Sequence, residues 1–243
     1  MCSGSMTGST TDVTTSRPQT KPSRPLGWAD LGIGVAAAVV LLGLGILLLR
    51  ALPEDQSILV GLASYAVSGL GPLGAVAVVT LLRRRRWSDF GIRRVAGRWL
   101  AVAVGVGVVV IGLNVLVTAV VVTYTQPENI QTDYQAAATG GLASFLGAIL
   151  LGALLTPFGE EMFFRGLVAN VLGRWGWWSG VLLSSAVFAV AHGINVVTPV
   201  AFLVGVAAAL LLRRTGSIWP AVVVHVCNNV FSVVVPAVIA LTA

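Results

Sequence analysis

Thr156-Pro157-Phe158-Gly159-Glu160-Glu161-Met162-Phe163-Phe164-Arg165-Gly166 sets three ionisable side chains within six residues of an otherwise apolar stretch. Each charge costs about 2.5 to 3.5 kcal/mol at a bilayer midplane, so three facing lipid would cost roughly 8 to 10 kcal/mol. Such side chains must face protein or water, and the chain around them has to supply that shelter.

The surrounding composition supplies a membrane scaffold. The chain of 243 residues is 56% hydrophobic and 10% charged, with a mean hydropathy of +0.92, whereas soluble domains carry about 25% charged residues. This describes an all-α, polytopic transmembrane helix bundle whose partner is the lipid bilayer. The net charge of +6 does not point to nucleic acid, because the arginines cluster at the ends of apolar runs, where they set membrane orientation. Cys2 lies in a polar tail and Cys227 in an apolar run, so neither a disulfide between them nor a CxxC metal site is expected.

Residues 1–25 are rich in Ser, Thr, Pro and Gly and read as a disordered polar tail without a removable signal peptide. Residues 26–243 form the transmembrane domain, with the polar motifs concentrated in 140–243. About seven spans are expected: 28–49, 58–82, 100–122, 140–172, 181 to 192–195, 199–212 and 218–240. Pro157 should kink the fourth. Arginines 83–86, 93, 94 and 98 fall between the second and third spans, on a Trp- and Phe-bearing segment expected along the membrane surface. Residues 124–135 read as a polar loop at the opposite end.

On a helix Glu161 and Arg165 share a face, whereas Glu160 is turned by about 100° from its neighbour. Arg165 can therefore neutralise Glu161, leaving Glu160 to face a cavity. Phe188 and His192 are four apart, and so are His225 and Asn229; the two histidines are the only ones in the chain. Counted from the arginine-rich interface, Glu160 and His192 both lie roughly 21 to 22 Å deep and His225 only roughly 12 Å. Bringing His225 level requires a tilted helix or a turn buried in the membrane.

Glu160-Glu161-x-x-x-Arg165, Phe188-x-x-x-His192 and His225-x-x-x-Asn229 resemble, in order and spacing, the three motifs of the CPBP family, the CAAX prenyl endopeptidases with their bacteriocin-processing and self-immunity relatives (the ABI family). The resemblance spans about 140 to the C-terminus, with a weaker echo at Asp89-Phe90-Gly91-Ile92-Arg93-Arg94. It implies an intramembrane endopeptidase acting on a peptide or membrane-protein substrate. Carried over, Glu160 activates water, His192 positions it and exchanges protons, His225 and Asn229 stabilise the oxyanion, and Glu161, Arg165 and Phe188 support the site. The family has also been described as metalloproteases, which would make Glu160, His192 and His225 a zinc set; the reading favoured here has no metal.

Two other functions fit parts of the pattern. A catalytically silent scaffold or immunity partner would keep the fold without turnover, and a proton-coupled transporter would also hold Glu, His and Arg inside helices, although no internal repeat is visible. The expected location is a bacterial plasma membrane with the N-terminus cytoplasmic. Arginine bias alone predicts that a cysteine at position 129 is labelled by a membrane-impermeant thiol reagent in intact cells while one at position 88 is spared; the reverse pattern would reject this orientation.

Overall fold

The computed structural model describes residues 25–53 and 55–242, so the expected tail over residues 1–24, with Cys2, lies outside the described residues. Among the described residues there are helices and no strands. Helices α1 (Trp28–Arg50), α2 (Ser57–Arg83) and α3 (Gly97–Thr125) are followed by the short α4 (Thr132–Thr139). The motif-bearing α5 (Leu142–Trp175), α6 (Trp177–Ala191), α7 (Val197–Thr215) and α8 (Trp219–Thr242) complete the bundle.

Six of these helices, α1, α2, α3, α5, α7 and α8, are long and apolar enough to cross a membrane. The expected fifth span, α6, is apolar but has only 15 residues, about 22 Å of helix against a hydrocarbon core of about 30 Å. Leucines and valines on the outer faces are exposed, Leu48 and Leu81 among the most so. Apolar side chains without protein neighbours on helices of this length mark a lipid-facing surface, and the protein is an integral membrane protein.

α2 is the bundle's organiser, packing on α1, α4 and α5, while α8 packs on α3, α5 and α7 and α6 on α7. The crossing of α2 and α5 is set by two glycines. A Cβ on Gly159 would lie 2.0 Å from the carbonyl oxygen of Gly69, so the backbones touch because neither residue has a side chain. Residues 124–135 are less of a loop than their polarity suggests. α4 starts at Thr132, its entry turned by Asn129, whose Oδ1 accepts from the Gln131 N–H at 3.0 Å. Gly61 then lets the Asp133 carbonyl approach α2.

The segment after α2 is anchored to the bundle by one buried ring. A 3-10 turn over Trp87–Phe90 pushes Phe90 into the core with no exposed surface, while Trp87 stays outside. Gly91 follows at φ 89°, a left-handed conformation, and its carbonyl accepts from the Ile218 N–H at 2.9 Å. The Ser217 hydroxyl donates to the Arg93 carbonyl at 2.8 Å, and Ser217 and Ile218 have no exposed surface. The turn between α7 and α8 is thus sunk beneath the connector, which starts α8 deeper than a surface turn would. Above this connector Arg85 bonds Asp30 at 2.5 Å, and that hydrogen bond raises the Arg85 pKa above its ordinary value.

Gly159→Ala should force α2 and α5 apart at their closest point. A loss of about 1 to 3 kcal/mol in detergent unfolding is expected from overpacking, and an unchanged unfolding midpoint would contradict the close crossing.

Candidate active site

α5 is irregular where the site is built. Two π-helical segments, Ile149–Leu155 and Phe164–Ala169, interrupt its α-helical turns. The first lies just ahead of Pro157, whose missing N–H and ring both disturb an α-helical ladder. In that segment the Thr156 N–H bonds the Leu151 carbonyl five residues back, rather than the Gly152 carbonyl four back. The next N–H that could reach Gly152 would be that of Pro157, which has none. The Gly152 carbonyl is left to a side chain, and Asn229 Nδ2 donates to it at 2.9 Å. In the second segment Asn170 Nδ2 donates to the Gly166 and Arg165 carbonyls at 2.8 and 3.2 Å. Pro157 therefore sits at the end of a widened stretch of helix.

Between the two π segments stand the glutamates. Glu161 and Arg165 have no exposed surface, and Arg165 Nε lies 3.2 Å from Glu161 Oε2. The pair is in contact but not aligned as a hydrogen bond, so its attraction is mainly Coulombic. The guanidinium lies over the Phe188 ring, 4.3 Å from its centroid, and against Gly205, where a Cβ would be 3.0 Å from Arg165 Nη2. Phe188 is thus placed by packing on a cation and two imidazole rings, those of His192 and His225.

His225 reaches the same layer. Its Nδ1 is 2.9 Å from Glu161 Oε1 and its Nε2 is 3.7 Å from Glu160 Oε2. The depth mismatch read from the sequence is resolved by the sunken α7–α8 turn. An ionised carboxylate only accepts, so Glu161 takes an Nδ1–H, and a neutral His225 ring then carries its lone pair at Nε2. Glu160 Oε1 accepts from the Ser68 hydroxyl of α2 at 3.0 Å. His192, at the end of α6, has Nδ1 2.9 Å from the Phe188 carbonyl, which as an acceptor again leaves a lone pair at Nε2.

Glu160, His192, His225 and Asn229 all border one cavity of about 410 Å³. Glu161 and Arg165 do not, lying behind it in the core. Residues that sequence reasoning missed also line it. Ser68 gave no signal beyond being a hydroxyl in a Gly-rich span. Asn114 of α3 donates to Asn228 Oδ1 at 2.9 Å and accepts from Thr118 at 3.1 Å; it is the one amide in its apolar helix and was legible in principle. Cys227 packs beside Gly107. Among the described residues no three His, Cys, Asp or Glu side chains come together closely enough to hold a metal ion. Glu160, His192 and His225 share a cavity without forming a ready ligand set.

A carboxylate and two imidazoles thus border one cavity between the helices. Residues 142–231 match the family model described as type II CAAX prenyl endopeptidase Rce1-like. Over its motif-bearing helices the chain is similar to that family of CAAX-protease-like peptidases. No curated protein and no solved structure matches the chain. The matched region carries both histidines and the glutamate pair, whereas Ser68, Asn114 and α4 lie outside it.

Glu161→Gln removes the carboxylate that touches both Arg165 and His225. It should cost about 3 to 5 kcal/mol by stranding a buried charge, read as a lowered unfolding midpoint. Asn229→Ala leaves the Gly152 carbonyl unpaired and should cost about 1 to 3 kcal/mol; no loss would show that Gly152 finds another donor.

Proposed function

We propose that the protein is an intramembrane endopeptidase in which Glu160 activates the attacking water. The observation that carries this reading is the pairing of two adjacent glutamates with one histidine, in which Glu161 grips His225 Nδ1 at 2.9 Å while Glu160 stands 3.7 Å from Nε2 at the cavity wall. With Glu161 and Arg165 charged, one proton shared by Glu160 and His225 makes the buried group neutral. On His225 that proton leaves Glu160 a carboxylate base and turns Nε2 into an N–H donor.

The chemistry then follows. Glu160 takes a proton from water, and the hydroxide oxygen bonds to the scissile carbonyl carbon. The oxyanion accepts from Nε2–H of the His225 imidazolium, in a site where little solvent screens the bond. When the C–N bond breaks, the proton held by Glu160 goes to the leaving amine, directly or through His192 Nε2, and the base is regenerated. This assigns His225 its donor role only as the imidazolium. Asn229 contributes mainly by holding Gly152, with one further N–H available toward the cavity. No step needs a metal.

Glu160→Gln should retain the folded protein in detergent and lose cleavage. Mass spectrometry of membranes carrying wild type or Glu160→Gln should reveal peptides made only by the wild type, and activity should survive exhaustive chelation. Full cleavage by Glu160→Gln would refute the role of Glu160, and loss to a chelator with recovery on zinc would refute the metal-free reaction. A catalytically silent scaffold predicts identical peptides from both membranes.

A further inference from the structure

The cavity is open at one end of the bundle and closed at the other. From the level of Glu160 and His225 its lining extends to the helix ends far from the arginines: Gln131 and Gln135 at the start of α4, Val196 and Val197 at the start of α7, and Val235 and Pro236 late in α8. On the arginine side the site is backed by a layer without access, with Met162, Leu167, Ile218 and Phe90 at 0% exposure. A second cavity, bordered by Asp89, Arg93 and Arg213, lies at that end and shares no lining residue with the first.

The short α6 explains the opening. Its roughly 22 Å fall several ångströms short of the hydrocarbon thickness, so His192 and the exposed Gly193 and Ile194 that follow form a notch rather than a rim. The polar lining besides Glu160 and the two histidines is amide and hydroxyl, and no Lys, Arg or Asp borders this cavity. An extended peptide without charges suits such a wall, since its backbone can bond the amides and its side chains can rest on the valines.

The charges label the two ends. Arginines 83–86, 93, 94, 98, 174, 213 and 214 sit at the packed end, whereas Asp55, Glu128 and Asp133 join Arg50 at the open one. By the positive-inside rule the packed end is cytoplasmic. We propose that substrate reaches Glu160 from the extracytoplasmic face, and that it is an uncharged peptide stretch of a membrane or exported protein presented there. This rests on the peptidase reading for the word substrate, but the direction of access does not. A lipid-modified C-terminus held at the cytoplasmic surface would meet the packed layer instead.

The test uses the full chain with Cys2 and Cys227 replaced by alanine and a single cysteine at Ser68, beside Glu160, or at Thr118, higher on the wall. A charged, membrane-impermeant methanethiosulfonate should label Ser68→Cys and Thr118→Cys in intact cells, with cysteines at positions 129 and 88 reporting the two faces. Labelling only in inside-out vesicles overturns the proposal, and so does labelling from neither side, which would mean access through lipid alone. Adding Glu160→Gln should leave the labelling unchanged, so an open cavity without cleavage would defeat the peptidase reading and not this one. The peptides lost in Glu160→Gln membranes should end at uncharged extracytoplasmic stretches; cuts confined to cytoplasmic C-termini would overturn the substrate assignment.

Discussion

A guanidinium and a carboxylate with no exposed surface, Arg165 and Glu161, are the constraint to which the middle of this bundle is fitted. Neither can be left alone in a low-dielectric interior, and an ion pair repays its desolvation only when its neighbours are well placed. Those neighbours are visible. Phe188 offers a ring face to the guanidinium, Gly205 withdraws a side chain to make room, and His225 occupies the second oxygen of Glu161. Helices α5, α6, α7 and α8 are therefore all registered on one charge pair, and the cavity in front inherits that registration.

The second organising fact is covalent. Pro157 cannot donate to the ladder of α5, and the π segment ahead of it moves the Thr156 N–H onto Leu151. One carbonyl, that of Gly152, is deprived of both its α-type and its π-type partner. Asn229, one turn beyond His225 on α8, answers it. A backbone defect in one helix thus fixes the rotation of another, which aims His225 at the glutamates. The close approach of Gly69 and Gly159 does the same for α2 and delivers Ser68 to Glu160.

Much of this is legible in the sequence, for physical reasons. Intramembrane charge is costly, so the glutamate pair, Arg165 and the two histidines stood out against an apolar background, and helical periodicity separated Glu160 from Glu161. What escaped were features that depend on tertiary approach. The ends of α6 are among them: the expected span runs from 181 to 192–195, whereas the helix runs from Trp177 to Ala191, because apolar composition does not mark where a helix starts and stops. The depth of His225 could not come from counting residues, since the α7–α8 turn is buried by hydrogen bonds to Gly91 and Arg93 that no local pattern encodes. Ser68 is invisible in sequence because a serine among glycines and alanines is ordinary in a packed span.

Placing two like charges side by side in sequence looks wasteful until their surroundings are compared. Glu161 is enclosed by opposite charge and takes part in the scaffold, whereas Glu160, one residue earlier, meets a hydroxyl, an imidazole edge at 3.7 Å and the cavity. One carboxylate has to sit against a guanidinium and the other against the cavity. The rotation of about 100° per residue lets a single helical turn satisfy both demands. His225 joins them, since its two nitrogens face the two glutamates. That coupling explains why the histidine must rise to the glutamate layer, and hence why the turn before it is sunk and the connector above it is folded inward.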